Sequence, residues 1–166
     1  MGRVIALVSL ALLVMGCTPS ARTSATPSAP ATAAASPAGS TLTLAEAASV
    51  YSAVADPYNA ALDRAQELYG TRTSLEDHQR YWALLAKADK MFLDGLKKIA
   101  FPPEVAAEAA VLIRADEAFQ QRALIVSRAR SLAEVISLSA VANAAAAVAG
   151  EKAEILRERL GLEPLA

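Results

Sequence analysis

The sequence is poor in the residues that build most metal and catalytic centres. Among 166 residues it has one cysteine, Cys17, and one histidine, His78, and the two lie in different segments. They cannot supply the ligand sets of zinc or haem sites. The Glu-x-x-His pairs of di-iron bundles are excluded as well, because Leu75 stands three residues before His78. We therefore expect no metal site, no cofactor and no catalytic residue, and we predict that the protein is not an enzyme.

Phosphate-binding motifs and net charge are also lacking. The seven glycines do not form G-x-x-x-x-G-K, G-x-G-x-x-G or G-x-S-x-G, the motifs of nucleotide sites and of the nucleophile elbow. The formal net charge of −1 leaves no basic footprint for nucleic acid. No stretch from Leu42 onward shows the alternation or the β-branched runs of strands. The folded part is therefore predicted to be all-α.

The sequence does have a short apolar run that ends at its cysteine. After Arg3, the run Val4–Met15 is about a dozen residues long, too short for a bilayer core that needs roughly 20. It has the length of a signal-peptide h-region. Gly16 is small enough for peptidase cleavage, and Cys17 follows at once. The order Val14-Met15-Gly16-Cys17 resembles the bacterial lipobox, whose cysteine thiol takes a diacylglyceryl group before the chain is cut.

This resemblance implies a lipoprotein. Residues 1–16 are predicted to be its signal peptide, with cleavage between Gly16 and Cys17 and with the lipid on Cys17. An ordinary secretory signal and an uncleaved N-terminal helix are the alternatives. The expected location is extracytoplasmic, with the N-terminal lipid in the bacterial cell membrane. Because Thr18 rather than an acidic residue follows the cysteine, the outer membrane is expected where the source has one.

Residues 17–42 are predicted to be a disordered linker that carries the lipidated cysteine at its start. Between Thr18 and Ser40 there is no Val, Ile, Leu or aromatic residue, and Arg22 is the only charge. Such a segment buries too little apolar surface to offset the entropy of ordering it. Four prolines interrupt any alanine helix.

From residue 43 onward, apolar residues recur at alternating spacings of three and four, the pattern of amphipathic helices. Short connections favour antiparallel neighbours. We therefore predict an up-down-up-down four-helix bundle over residues 43–162, followed by a tail over 163–166. The predicted helices are 43–69, 74–99, 103–130 and 132–160.

Local signals set these boundaries. Thr43-Leu44-Ala45-Glu46 and Ser131-Leu132-Ala133-Glu134 are capping boxes. The second of them favours a break between the third and fourth helices over one helix of nearly 60 residues. Gly70 and Gly161 are predicted to be C′ residues, and Pro57 is predicted to kink the first helix.

Three residues are candidates for a ligand site. Asp116 falls on the apolar stripe of the third helix, between Leu112 and Phe119. Tyr58 and Asn59 follow Pro57, where a kink would free a backbone carbonyl. The alternatives are structural. Asp116 can pair with Arg122 or Arg64 or lie at the margin of the core, the kink can simply bend the helix, and the tyrosine can be a core residue.

The chain as a whole resembles a loose set of uncharacterised actinobacterial-type lipoproteins, which join a lipobox, an Ala/Pro/Ser/Thr tether and Ala-rich helices. The matching pieces are Tyr51-x-x-Val54-x-x-Pro57-x-Asn59-x-x-Leu62, Phe101-Pro102, Leu112-Ile113-x-Ala115-Asp116 and Leu156-Arg157-x-x-Leu160-Gly161-Leu162. The resemblance implies the compartment and the anchor. It brings no assigned activity and no functional residues.

These observations predict a helical binding or structural module of the cell envelope, with an exposed apolar groove and an envelope protein as its partner. The alternative is a carrier or sensor of a small apolar ligand in the bundle core. That alternative requires a cavity of a few hundred Å³ lined by Tyr, Phe and Leu. The sequence leaves the oligomeric state open.

Overall fold

The computed structural model describes residues 41–164, and they contain four α-helices and no strand. The helices are α1 (Leu44–Tyr69), α2 (Leu75–Leu96), α3 (Pro103–Val126) and α4 (Leu132–Arg159). The all-α prediction is confirmed, and the helices pack as a bundle. The predicted signal peptide, Cys17 and all but the last two residues of the predicted linker lie outside the described range.

The helix starts follow the local capping signals. At the start of α1, the Thr43 N–H donates to Glu46 Oε2 at 2.8 Å and the Glu46 N–H donates to Thr43 Oγ1 at 3.3 Å, which completes the predicted capping box. At the start of α2, Ser74 Oγ accepts from the Asp77 N–H at 3.1 Å. Pro103 occupies the first position of α3, where a missing N–H costs nothing.

The predicted break between the third and fourth helices is confirmed. α3 ends at Val126, four residues earlier than predicted, and residues 127–131 connect it to α4. Ser131 Oγ accepts from the Glu134 N–H at 3.1 Å. The Glu134 carboxylate accepts from the Arg130 N–H at 2.7 Å, so only half of the second capping box forms.

The two predicted C′ glycines differ. Gly161 has a φ of 72°. Its N–H donates to the Glu158 carbonyl at 3.0 Å, and the Leu162 N–H donates to the Arg157 carbonyl at 2.9 Å, which together form a Schellman motif. Gly70 instead is the C-cap of α1 with a right-handed φ of −58°, so its prediction as a C′ residue was wrong.

The C-terminal end of α2 also needs correction. The helix ends at Leu96, three residues before the predicted end, and Lys97 is its C-cap. Lys97 Nζ pairs with Glu117 of α3 at 2.7 Å.

The core consists of two clusters of buried apolar side chains. The sequence spacing predicts an apolar stripe of seven positions on α3, and all seven are buried, namely Val105, Ala109, Leu112, Asp116, Phe119, Ala123 and Val126. Leu44 and Leu68, at the ends of the predicted α1 stripe, are 40% and 54% exposed. The first cluster contains Ala47, Ala48, Tyr51, Ala55, Phe92, Leu96, Ile99, Val105, Ala109, Leu112, Leu156 and Leu160. The second contains Ala65, Trp82, Leu85, Ala86, Phe119, Ala123, Val126, Ala129, Val135 and Ala142.

The helices do not all approach one another equally. α1 packs along α2, α2 along α3, and α3 along α4, whereas the backbones of α1 and α4 have at most marginal contact. A Cβ placed on Gly95 of α2 would lie 3.1 Å from Val54 Cγ2 of α1 and closer still to its Cγ1. The α1–α2 seam is therefore tight, and the α1–α4 seam is open.

Within the described residues, α4 alone is long and apolar enough to cross a membrane, with a mean hydropathy of 1.7 over its most apolar window. It also packs along α3 and contributes Val135, Ala142 and Leu156 to the two clusters. A core helix of a soluble protein meets the same criterion of length and composition, so this finding is weak evidence for a membrane span.

Candidate ligand-binding cleft

A cleft of about 450 Å³ lies between α1 and α4, with α2 and α3 behind it. We name it the α1–α4 cleft. Exposed residues of α1 and α4 form its rim, namely Asp63, Gln66, Asn143 and Gly150. Buried residues from all four helices form its floor, namely Tyr51, Ala55, Trp82, Leu85, Phe92, Asp116, Phe119 and Ala149. The small side chains of α4 leave this space unfilled.

Aromatic rings line one wall of the cleft. The Tyr58 ring stacks on the Phe92 ring with centroids 4.7 Å apart and planes 14° apart. Tyr51 meets the same phenylalanine edge-on at 6.2 Å and 75°. Both geometries are favourable for aromatic pairs. These three aromatic side chains therefore contact one another along one wall of the cleft.

Two aspartates are buried beside this wall. Asp116 of α3 is 3% exposed and lines the cleft. Asp89 of α2 is fully buried, and its negative charge contributes to the raised pKa of the Tyr58 hydroxyl, as the charge of Asp116 does to that of Asp89. Both oxygens of Asp89, and Oδ2 of Asp116, have no hydrogen-bond partner among the described residues. An unpartnered buried carboxyl costs free energy in either protonation state, and more when it is ionised.

The cause of their altered titration is desolvation. Burial raises the pKa of Asp116 to about 7. Burial, with a further contribution from the negative charge of Asp116, raises the pKa of Asp89 to about 8. Burial and then the same two carboxylates raise the pKa of the Tyr58 hydroxyl. Near neutral pH, the Asp89 and Asp116 carboxyls are therefore each present in both the protonated and the ionised form.

One end of the cleft carries a cation that is already engaged. Burial raises the pKa of Tyr51 to about 12, while the nearby Arg157 acts in the opposite direction and hydrogen-bonds the tyrosine. Arg157 Nε donates to the Glu163 carbonyl oxygen at 3.1 Å, and Nη2 donates to the same oxygen. This guanidinium therefore ties the C-terminal segment to the end of the cleft.

The three candidates from the sequence come together here. Tyr58, Asn59 and Asp116 all line the α1–α4 cleft, although they were selected by separate arguments. The alternative pairing of Asp116 is wrong for the described residues, because Arg64 and Arg122 are both exposed and neither forms an ion pair with it.

Sequence reasoning missed Asp89. It lies four residues after Leu85 and three before Phe92, both core residues of α2. That spacing puts its side chain on the buried face of the helix, and it was the available signal. The described residues contain no group of three or more His, Cys, Asp or Glu side chains arranged for a metal ion.

No protein-family model matches the sequence, and comparisons with curated proteins and with solved structures found no match. The resemblance to actinobacterial-type lipoproteins therefore stays a prediction. The cleft is the feature from which a function can be argued.

Proposed function

We propose that this chain is a lipid-anchored, extracytoplasmic binding protein that holds a small ligand in the α1–α4 cleft. One observation carries the proposal: the Asp116 carboxyl lines the cleft, is 3% exposed, and has an oxygen without a partner. A buried polar group of this kind is expected to find a hydrogen-bond partner, and a ligand in the cleft would supply it.

The cost of this arrangement supports a functional origin. Larger apolar residues on α4 in place of Ala146 or Ala149 would fill the space and add buried surface. Replacing a buried unpaired carboxyl by an apolar group would remove its desolvation cost. A sequence that keeps both the space and the acids gives up stability at this one place, as proteins do at binding sites.

The size and lining also suit a small molecule. The volume of about 450 Å³ lies within the range of about 300–1,000 Å³ typical of ligand sites. An apolar, aromatic lining with a few convergent polar groups is typical of such sites too. This favours the carrier or sensor function over a purely structural one, and we propose binding without catalysis.

The proposal includes the up-down-up-down order of the helices. The first cluster joins the start of α1, the end of α2, the start of α3 and the end of α4. Alternating helix directions account for this grouping of the four ends, which supports the proposed order. The short connections over residues 70–74, 97–102 and 127–131 support the same order.

The anchor is tested by Cys17→Ala. We expect the variant to carry no lipid and to keep residues 1–16, since lipidation precedes cleavage in the lipobox pathway, and mass spectrometry of the intact chain measures both. Retention in carbonate-washed membranes with an unmodified sulfhydryl in the wild type would exclude lipid anchoring.

Occupancy of the cleft is tested by native mass spectrometry of the lipidated chain, purified from its own host and released from detergent in the gas phase. We expect the wild type to carry a small molecule. Ala146→Phe, which fills the cleft, should remove it, whereas Ala147→Phe on the neighbouring exposed position should not. A ligand that survives Ala146→Phe would place the binding site elsewhere.

A second candidate is self-association through α4. Between Val135 and Gly150 this helix has no charged residue, and Ile136, Val141 and Val148 are 73%, 51% and 49% exposed. An uncharged helix surface with exposed apolar side chains can pack against the same surface of a second copy across a two-fold axis. Sedimentation analysis of the wild type against Val141→Glu tests it, and a monomer at high concentration would exclude this candidate.

A further inference from the structure

We propose that the ligand of the α1–α4 cleft is an organic cation, an ammonium group on a compact apolar body, whose nitrogen binds at Asp116. This inference rests on the proposed function and specifies the chemistry of the ligand. It is argued from the charges that face the cleft, from the aromatic wall and from the missing hydrogen-bond donors.

The charges around the cavity favour a positive guest. α1 contributes the rim residue Asp63, α2 contributes Asp89 from behind, and α3 contributes Asp116. α4 contributes Arg157, together with Glu154, whose negative charge also affects Tyr51. Among the described residues that line the cleft, Arg157 is the only cation, and it donates hydrogen bonds to the Glu163 carbonyl at the end of the cleft. An acidic excess therefore remains around the middle.

The hydrogen-bonding inventory leads to the same class. A carboxylate only accepts hydrogen bonds, and three buried carboxyl oxygens of Asp89 and Asp116 lack a donor among the described residues. An ammonium group offers donors and a charge at once. An anionic ligand would instead face these oxygens with like charge, at an energetic cost in a desolvated site.

The aromatic wall completes the site. Tyr58, Phe92 and Tyr51 form a contiguous aromatic group in the lining, next to the cleft-facing carboxyl. Ring faces within about 6 Å attract ammonium groups, more strongly where water is displaced. The remaining lining from Leu62, Leu85, Phe119 and the alanines of α4 suits the apolar body.

Proton competition gives the inference a distinctive signature. A cation binds best when Asp116 is ionised. Because the pKa of Asp116 is about 7, its carboxyl is largely protonated at pH 6 in the protein without ligand. Binding then releases a proton, and the apparent Kd scales inversely with the ionised fraction. The affinity for a cation should therefore rise by about tenfold from pH 6 to pH 8, whereas that for a neutral ligand should not.

The experiment uses the full lipidated chain in phosphatidylcholine vesicles and the fluorescence of Trp82, which is the sole tryptophan and lines the cleft. The probes share one body and differ in the head group: cyclohexylmethylammonium, cyclohexylmethanol and cyclohexanecarboxylate. Primary amines titrate near pH 10, so the ammonium stays charged throughout. At pH 8 we expect it to bind at least about tenfold more tightly than the alcohol, and the carboxylate to bind most weakly.

Variants separate the roles. Asp116→Asn should abolish both the preference for the ammonium and its pH dependence. Asp94→Asn, at an exposed position of α2 outside the cleft lining, should change the Kd by less than about threefold. Thermal unfolding checks that each variant is folded. Should Asp116→Asn not fold, the pH dependence of the wild type for the ammonium against the alcohol still decides.

The outcomes divide cleanly. If the alcohol binds as tightly as the ammonium at both pH values, and Ala146→Phe blocks both, the cleft binds ligands and the cation proposal is wrong. Equal or tighter binding of the carboxylate also overturns it. If all three probes fail to change Trp82 fluorescence up to millimolar concentration, both this inference and the proposed binding of small ligands in the cleft fail.

Discussion

The two flanks of α1 show how one helix can serve stability on one side and binding on the other. Toward α2, the backbones approach so closely that a methyl group on Gly95 would collide with Val54. Toward α4, a methyl group on Gly150 would meet nothing within 4 Å. The tight seam is apolar where the glycine meets Val54, whereas the open seam gathers Tyr58, Asn59 and Asp116.

The two flanks differ in whether packing compensates the lower helix stability at a glycine. A glycine inside a helix costs about 0.5–1 kcal/mol relative to alanine. At Gly95 close packing compensates that cost. At Gly150 no contact does, and the space that results is the rim of the cleft. The comparison is open to direct tests by mutation.

The largest expected effect concerns the acids of the open seam. Asp89 and Asp116 hold their protons in the folded state up to pKa values of about 8 and about 7, whereas in the unfolded chain Asp titrates near 3.9. The folded state therefore binds more protons between about pH 4 and pH 8, and stability falls as pH rises through that window. We expect urea unfolding to show a loss on the order of a few kcal/mol from pH 5 to pH 9.

Two asparagine variants test this prediction, one double variant and one control. Asp89→Asn with Asp116→Asn should remove most of this pH dependence. Asp94→Asn should retain it, because Asp94 is exposed and its hydrogen bond from Lys90 lowers its pKa. If the free energy of unfolding depends on pH in the double variant as it does in the wild type, Asp89 and Asp116 are hydrated in solution and water enters the α1–α4 seam.

A smaller effect is expected in the tight seam. Gly95→Ala should lower the free energy of unfolding by about 1–2 kcal/mol, because overpacking against Val54 outweighs the gain in helix propensity. In a Val54→Ala background the same substitution should become neutral or stabilising, which a double-mutant cycle in urea measures. Additive effects of the two substitutions would show that the seam is loose.

The smallest effect is expected at the matched glycine of the open seam. Gly150→Ala should stabilise the chain by about 0.5–1 kcal/mol, since the methyl group meets open space and alanine favours the helix. Thermal unfolding should show a higher Tm. A destabilised Gly150→Ala variant would mean that α1 and α4 close upon each other in solution.

Most of the helical framework could be predicted from the sequence because its signals are local. The α3 stripe was predicted position by position because large apolar residues recur there at unambiguous spacing. The caps at Thr43 and Ser131 were predicted because each depends on residues three apart. The prediction of Gly70 as a C′ residue was wrong because a glycine permits, but does not require, the left-handed conformation that is common at C′.

The cleft could be predicted only in part. Asp116 was recognised as a polar residue on an apolar stripe, and Tyr58 and Asn59 as neighbours of an internal proline. That these residues share one cavity depends on how far α1 stands from α4, which follows from the summed volumes of the side chains between them. The Ala-rich fourth helix leaves room for the ligand of the carrier alternative, but alanine fits an exposed and a buried helix face equally well, so the sequence did not indicate where the gap lies.

A hydrogen bond just ahead of α1 has a mechanical consequence. The Leu42 N–H donates to the carbonyl of Ala100, in the connection between α2 and α3, at 3.3 Å. A pulling force applied through the residues that precede α1 would therefore act on this hydrogen bond before it acts on the first turn of α1. Leu42 also packs against the first cluster. The force would therefore be shared with the connection between α2 and α3, and α1 would not separate from the bundle on its own.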